Sequence, residues 1–268
     1  MSNVWFFWYN FVMNKRTLPI LIGNWKSTPD TLQNAIKIVK LLEKKVLSAH
    51  PKLPKKPYYL AVPEIFIPHI KEISSGFIGS QNIGGISLGQ TTGATIPSQL
   101  LTGGADFTLV GHSEVRKRGE SEEERMHKVA LSLQSKFTTV LCIGESKRDK
   151  EGKYLSFLEE DLKESLTLAP KNLFDYLIIA YEPVWAIGQS VPATPQECFE
   201  VVISIRRSLV SLVGMDYAKK VNILYGGGVH KDDAKIFLDE GGVDGLLIGQ
   251  ASQDATSFFE VIKNCYSK

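Results

Sequence analysis

Glu182 follows the apolar run Leu177-Ile178-Ile179-Ala180-Tyr181 and precedes Pro183, so a single carboxylate is presented where a short buried strand gives way to a loop. Pro183 fixes its own φ and ends regular structure, and Trp185, Ala186 and Gly188 suit a stiff lid with bendable ends. A carboxylate so placed has the position of a general base, although a lone glutamate after a strand is more often a solvated loop residue. His112 leaves the apolar run 107–111 where a helical turn begins. Backbone N–H groups there disfavour imidazolium, and a neutral ring can donate a hydrogen bond to a carbonyl oxygen. The plainer alternative is a structural histidine. Gly23-Asn24-Trp25-Lys26 puts an amide and an ammonium after another apolar run. Lys26 suits a phosphate or a developing oxyanion, or else is a surface lysine whose stem covers apolar surface. Glu114 fits an ion partner that orients Lys26, and equally an ordinary helix-start carboxylate. Two glycine-bearing exits, Tyr225-Gly226-Gly227-Gly228 and Ile248-Gly249-Gln250, let backbone N–H groups approach an anion, or simply make tight turns. Jointly these residues are a base, an electrophile, a cation and an anion cradle, a combination far more specific than any one of them.

Each of them stands at the end of a short apolar run, and the runs recur along the chain. Eight β-rich stretches, at 19–25, 58–62, 76–80, 107–111, 138–143, 176–181, 221–225 and 245–248, are continuously apolar rather than alternating. That pattern marks parallel strands buried on both faces, which need helical crossovers. Ser121-Glu122-Glu123-Glu124 reads as a capping box before Met126, Val129, Ala130 and Leu133 at helical spacing. Thr194-Pro195-Gln196-Glu197 repeats the device before Cys198, Val201, Val202, Ile205 and Leu209. Thr28-Pro29-Asp30 is expected to open a helix with Leu32, Ala35, Ile36, Val39 and Leu42 on one face, and Phe258, Val261, Ile262 and Cys265 form a last stripe. Eight such units fit an α/β fold, a closed (β/α)8 barrel in a single domain, better than an open sheet, and such barrels carry their sites at the C-terminal ends of the strands.

With 31 Lys and Arg against 29 Asp and Glu, a net +2 and no long basic run, nothing points to nucleic acid or an anionic membrane, while a small anionic ligand stays open. Hydrophobic content of 43% with 22% charged residues suits a large packed core rather than disorder. Cys142, Cys198 and Cys265 are far apart and form no Cys-x-x-Cys pair, which speaks against a disulfide framework or zinc site and for a reducing cytoplasm. No metal or organic cofactor is indicated. The stretch from Val4 to Met13 is strongly apolar but lacks the flanks of a signal peptide, and it falls short of the roughly 20 residues that span a bilayer. We therefore expect residues 1–16 to be an appendage, or a mis-assigned start with the functional chain beginning near Met13, and residues 17–268 to form the barrel.

Gly23-Asn24-Trp25-Lys26, Gly111-His112-Ser113-Glu114, Cys142-Ile143-Gly144-Glu145, the nine residues from Ala180 to Gly188, Ala193-Thr194-Pro195 and Tyr225-Gly226-Gly227 resemble, in order and spacing, the motifs of the triosephosphate isomerase family. The resemblance covers roughly residues 18–265. It implies a cofactor-independent aldose–ketose isomerase acting on a small phosphorylated sugar in glycolysis and gluconeogenesis. It further implies that Glu182 shuttles a proton between adjacent carbons and that His112 polarises the carbonyl and moves protons between the oxygens. Asn24 and Lys26 would stabilise the enediolate and bind substrate, and Gly188, Gly228, Gly249 and Gln250 would line the phosphate site. The segment 81–96, with Thr92-Gly93 at its tip, resembles the family's protruding third loop and implies a homodimer through the loop around Thr92.

Several positions depart from the family pattern. Gln189-Ser190-Val191-Pro192 stands where a Thr-Gly-Lys-Thr type of hinge is usual, and its proline and β-branched valine should stiffen the lid's second half. Gly228 replaces a phosphate-binding serine, and Gln250 replaces a glycine. Ala94 and Val115 occupy the places of a glutamate and an arginine that often pair across subunits, and the turn 115–119 is one residue short before Glu120. The changes at Gly228 and Gln250 motivate an alternative substrate, a tetrulose phosphate. A catalytically silent barrel kept for binding is the remaining alternative, and intact Lys26, His112 and Glu182 speak against it.

Overall fold

The computed structural model describes residues 7–9, 12–13, 18–85, 92–188 and 193–267. Its strands are β1 (Ile20–Asn24), β2 (Tyr59–Ala61), β3 (Phe77–Ser80), β4 (Phe107–Val110), β5 (Thr138–Ile143), β6 (Leu177–Tyr181), β7 (Asn222–Tyr225) and β8 (Gly245–Ile248). All are parallel and pair in chain order, and β8 returns to β1 through Ile20↔Gly245 and Gly23↔Ile248, closing a (β/α)8 barrel. The helices are α1 (Leu32–Ser48), α2 (Ile67–Ile73), α3 (Pro97–Thr102), α4 (Ser113–Lys117), α5 (Glu122–Gln134), α6 (Lys153–Ser165), α7 (Pro195–Val213), α8 (Met215–Ala218), α9 (Ala234–Glu240) and α10 (Ala255–Tyr266).

The strands are apolar on both faces because each face meets a different core. Ile22, Leu109, Val140, Ile178, Leu224 and Leu247 fill the barrel interior. Leu21, Val110, Leu141, Ile179, Ile223 and Ile248 pack outward against the helical ring. Successive strand residues face opposite ways, so the interior register continues beyond the last strand residues. From Ile22 it runs to Asn24 on β1, from Ile178 and Ala180 to Glu182 beyond β6, from Leu224 to Gly226 beyond β7, and from Leu247 to Gly249 beyond β8. The polar positions thus crown the barrel because apolar neighbours two residues earlier fix which way they point.

Three local expectations are corrected. α1 starts three residues later than Thr28 predicted: Thr31 is its N-cap and accepts from Asn34 N at 3.3 Å, while Thr28 Oγ1 donates to Trp25 O at 2.7 Å and closes a separate turn. Ser121 does cap α5 by accepting from Glu124 N, but the reciprocal half of the box is missing because Glu124 turns to Lys128 at 2.8 Å. Met126 is only partly buried, and Arg125 and Lys128, both 1% exposed, go inside instead, each held by buried carboxylates. Paired charge therefore displaces the simple apolar stripe on that helix.

The first residues pack against the barrel where they are described. Residues 7–9 and 12–13 are helical, and Val12 is buried in the outer core. The Tyr9 ring meets the edge of Phe199 on α7 at 5.6 Å, and the Arg207 guanidinium lies 5.6 Å from the centre of the Trp8 ring. The three cysteines are buried and unpaired. Among the described residues no helix is long and apolar enough to cross a membrane, and no group of three or more His, Cys, Asp or Glu side chains is arranged to hold a metal ion.

Candidate active site

Glu182 reaches the barrel mouth because β5 and β6 continue to pair past their ends. Its N–H donates to Ile143 O at 2.8 Å, and Val184 N donates to Glu145 O at 3.0 Å. Gly144 lies between, where any Cβ would overlap the Glu182 carbonyl. The glycine of Cys142-Ile143-Gly144-Glu145 is therefore what lets the two backbones close on the carboxylate-bearing residue.

The Glu182 side chain is 3% exposed, and its polar partners include a backbone amide, a ring nitrogen and the Cys142 thiol. Oε2 accepts from Ser113 N, in the first turn of α4, at 3.0 Å. Oε1 lies 3.1 Å from His112 Nε2. His112 is the N-cap of α4: its Nδ1 accepts from Glu114 N at 3.1 Å. A ring nitrogen that accepts an N–H carries no proton of its own, so the ring is uncharged with its proton on Nε2, and Nε2 donates to Glu182. Below them the Cys142 thiol is pushed well above its ordinary range by burial first and then by the Glu182 charge, and it stays a neutral apolar floor.

Lys26 and Glu114 form the second half of the centre. Lys26 Nζ and Glu114 Oε1 are 2.5 Å apart, with side chains 30% and 45% exposed. Burial pushes the Glu114 carboxyl upward, but the hydrogen bond and charge of Lys26 outweigh it and hold the carboxyl below its ordinary range. Lys26 has φ +56°, a left-handed conformation unusual for lysine. Its amide is held by Asn24 Oδ1 at 3.0 Å, and its carbonyl accepts from Gln81 Nε2 at 2.7 Å. Asn24 thus acts on the backbone that aims Lys26 as well as lining the pocket.

The pocket itself is a cavity of about 790 Å³ whose wall includes Asn24, Lys26, His112, Glu182, Gly188, Gly228, Gly249 and Gln250. These eight residues are the ones the sequence places at the site, and they come from the ends of five strands, β1, β4, β6, β7 and β8. Glu114 lies one step back, against Lys26, on a neighbouring cavity of about 440 Å³. Its size and its mix of backbone and charged groups suit a small polar ligand.

The triosephosphate isomerase family model matches residues 19–265. The chain is 36% identical over 250 residues to the triosephosphate isomerase of Leptospira interrogans, covering 90% of this chain and 98% of that protein. It is 33% identical over 246 residues to that of Caldanaerobacter subterraneus, covering 91% and 98%, and 39% identical over 190 residues to that of Candida albicans, covering 70% and 75%. The chain belongs to the triosephosphate isomerase family. Its membership makes it an intramolecular aldose–ketose isomerase, and the matched span begins after the packed N-terminal residues.

Four contacts of this triosephosphate isomerase fold have no counterpart in the sequence reading. The Ser113 amide that holds Glu182 is a backbone donor, to which residue type gives no clue. Glu145, 2% exposed, accepts from Tyr181 Oη at 2.9 Å and from Trp185 Nε1 at 2.7 Å, tying the first half of the lid to the barrel. Burial raises its carboxyl above the ordinary range even against those bonds. Its signal is legible in retrospect, since it leaves β5 two residues after an apolar strand end, as Glu182 nearly does on β6. The third is Tyr225, whose buried hydroxyl faces the backbone of Ala193 at the far side of the lid. The fourth is Trp25 Nε1, which donates to Ser252 O at 2.9 Å and ties the first loop to the eighth. The hinge stretch 189–192 lies outside the described residues.

Proposed function

We propose that the chain interconverts dihydroxyacetone phosphate and D-glyceraldehyde 3-phosphate through an enediolate, with Glu182 as base and His112 as electrophile. The observation that carries this reading is that Glu182 and a neutral, Nε2-protonated His112 meet at 3.1 Å on a cavity wall also lined by Lys26 and Asn24. A C–H next to a carbonyl is a weak acid, so its proton leaves only if the electron pair is received on an oxygen already met by donors. Glu182 takes the proton from one carbon, the pair moves onto the carbonyl oxygen, and His112 Nε2–H and Lys26 stabilise it. After the proton shifts between the two oxygens, Glu182 returns its proton to the adjacent carbon. Glu114 positions Lys26, and the backbone N–H groups of Gly188, Gly228, Gly249 and Gln250 receive the phosphate.

The resting contacts add a step. His112 Nε2–H now faces Glu182, so base and electrophile occupy each other. A substrate oxygen that takes the Nε2–H releases one Glu182 oxygen, and the Ser113 amide must then also be given up before the carboxylate turns to carbon. Binding of the unreacting phosphate supplies the energy to close the lid, and closure keeps water from the enediolate.

The test is isomerisation of dihydroxyacetone phosphate by purified protein in D2O, with deuterium appearing on the carbon bonded to the aldehyde. Glu182→Gln is expected to lower both turnover and exchange by about 10³-fold. Turnover unchanged in that variant removes Glu182 from the role, and a clear kcat/KM preference for a tetrulose phosphate replaces the substrate.

The same reading makes the protein a homodimer. The 440 Å³ cavity beside Lys26, Glu114 and Arg118 takes the loop around Thr92 of a second copy, without the usual charge pair because Ala94 and Val115 are uncharged. Sedimentation of a single species at twice the chain mass is the expected result. Three buried free thiols suit a reducing, cytoplasmic compartment.

A further inference from the structure

A phosphate monoester brings close to two negative charges into a cavity that already holds several carboxylates. Glu182, Asp232 and Asp254 all line it, against Lys26 and Lys231 as the lysines. Lys26 is neutralised by Glu114 at 2.5 Å. Asp254 is engaged at the start of α10, where it accepts from Thr256 N, Ser257 N and Ser257 Oγ, so the Ser257 hydroxyl is engaged as well. The seventh loop offers only glycine backbone at 226–228. Backbone dipoles alone therefore face a dianion against uncompensated negative charge.

Two lining side chains stand free to answer it. Lys231 and Gln250 are exposed, and neither side chain has a hydrogen bond or ion pair among the described residues. They come from the two loops that carry the glycines, and their backbones are fixed. Lys231 O accepts from Asn264 Nδ2 of α10 at 3.0 Å, and the turn that holds Lys231 is closed by His230 N donating to Asp233 Oδ1 at 2.7 Å. The loop is further seated by Gly227, where a Cβ would overlap the Tyr225 hydroxyl. Gln250 begins a 3-10 turn, Gln250–Gln253, anchored to the first loop by Gln253 Nε2 donating to Trp25 O at 3.2 Å. An exposed lysine on a fixed backbone, together with a carboxamide on the same cavity wall, is a suitable pair for a phosphate dianion.

We propose that Lys231 and Gln250 are specificity-determining residues of this site, their ammonium and carboxamide gripping the phosphate of the ligand from outside the glycine loops. The assignment rests on the isomerase reading for its substrate but not for its ligand class, which is any phosphate dianion. The experiment compares wild type with Lys231→Met, Gln250→Leu and the double variant, reading inorganic phosphate Kd by calorimetry and KM and kcat for glyceraldehyde 3-phosphate. Each single change is expected to raise phosphate Kd and KM about tenfold and the double change about a hundredfold, with kcat altered much less. Lys231→Met also flattens the salt dependence of phosphate binding, and Lys231→Arg restores most of the affinity. Both side chains are exposed, so thermal midpoints should stay at the wild-type value, and melting curves report any variant that does not fold. Phosphate Kd and KM unchanged in a folded double variant overturn the proposal, as does wild type that inorganic phosphate neither binds nor inhibits. Weakened phosphate binding in the variants, with no isomerisation by wild type, sustains the phosphate grip and defeats the isomerase reading alone.

Discussion

Two ionic clusters flank the short helix α4, built from the same residue types and put to different ends. On the pocket side are Lys26, Glu114, His112 and Glu182. On the outer side Arg125 meets Asp161 at 2.6 Å, Arg116 meets the same carboxylate at 3.3 Å, and Lys128 lies 2.7 Å from Glu120 and 3.2 Å from Asn82 Oδ1. The outer cluster is sealed from solvent, since the Arg125, Asp161, Lys128 and Glu120 side chains are 1–3% exposed. Its charges are paired, although Arg125 Nε and Nη1 and Glu120 Oε2 have no hydrogen-bond partner among the described residues. The pocket cluster opens onto the cavity, and its contacts can be exchanged for a ligand. A charge cluster is thus chemical where a partner can be replaced and structural where none can. The outer set immobilises the loop that carries His112, and the inner set works from that fixed base.

The comparison predicts opposite outcomes for substitutions a few residues apart. The largest effect is Glu182→Gln, expected to lower kcat by about 10³-fold, inside the range of a lost general base, with the thermal midpoint near wild type. If it instead unfolds the protein with kcat per folded molecule preserved, the inner cluster is structural. Arg125→Met comes next: it leaves Asp161 buried with only the half-exposed Arg116, and unfolding in denaturant should show a loss of about 3–5 kcal/mol. Adding Asp161→Leu removes the stranded charge and should recover most of that loss, while kcat falls far less than in Glu182→Gln. Failure of the double variant to recover would mean that the pair is needed for packing rather than for charge balance.

What the sequence makes legible follows the same division. Continuous apolar runs announce β1 to β8 because a strand between two cores has no polar face, and interior alternation then aims Asn24, Glu182 and the glycines at one end. Local propensity also marks Thr194, whose capping box with Glu197 is complete. The sealed cluster is illegible: Arg125 and Lys128 interrupt a helical stripe and look solvated until Asp161, from a different helix, is brought beside Arg125 and Glu120 beside Lys128. The contacts of the pocket are equally hidden where they use backbone, as Ser113 N does for Glu182. Thr31 outcompetes Thr28 as a helix cap because Thr28 is already committed to Trp25 O, a contact invisible in a propensity reading. The place of Val12 in the outer core is likewise illegible, because its neighbours Phe199 and Gly242 come from α7 and from the turn before β8.

Glu114→Gln tests the inner cluster at a less central point. The variant keeps the shape but not the charge that aims Lys26, and kcat/KM is expected to fall about tenfold, with KM carrying most of the change. Stability should hardly move, because the pair is half exposed and such pairs contribute little. Since Lys26 holds the Glu114 carboxyl below its ordinary range, whatever stability the pair adds is present above that range and is lost as pH falls through the lowered value. Titration of kcat/KM should therefore show no acid limb from Glu114 within the ordinary carboxylate range. A limb there that vanishes in Glu114→Gln would break the ion-pair account.

Glu145 belongs to neither cluster and sharpens the boundary between them. It is sealed like the outer set, yet it holds Trp185 of the lid, and among the described residues no cation forms an ion pair with it, Arg148 acting only through its charge. Oε2 is buried with no hydrogen-bond partner, so ionisation is disfavoured by burial although Tyr181 and Trp185 favour it at Oε1. Its carboxyl is raised in the folded state, which reverses the sign found for Glu114. The folded protein holds this proton at pH values where the unfolded chain has released it, so stability is greatest below the ordinary carboxylate range and declines as pH rises through the folded value. Glu145→Gln removes the titration while leaving an oxygen to accept from Tyr181 and Trp185. The thermal midpoint of wild type relative to that variant should therefore drift downward as pH rises from the ordinary carboxylate range through the raised folded value. A difference that is flat, or that favours wild type more strongly at high pH, would show that Glu145 is ionised and paired, and would place the anchor of the lid among the charge clusters after all.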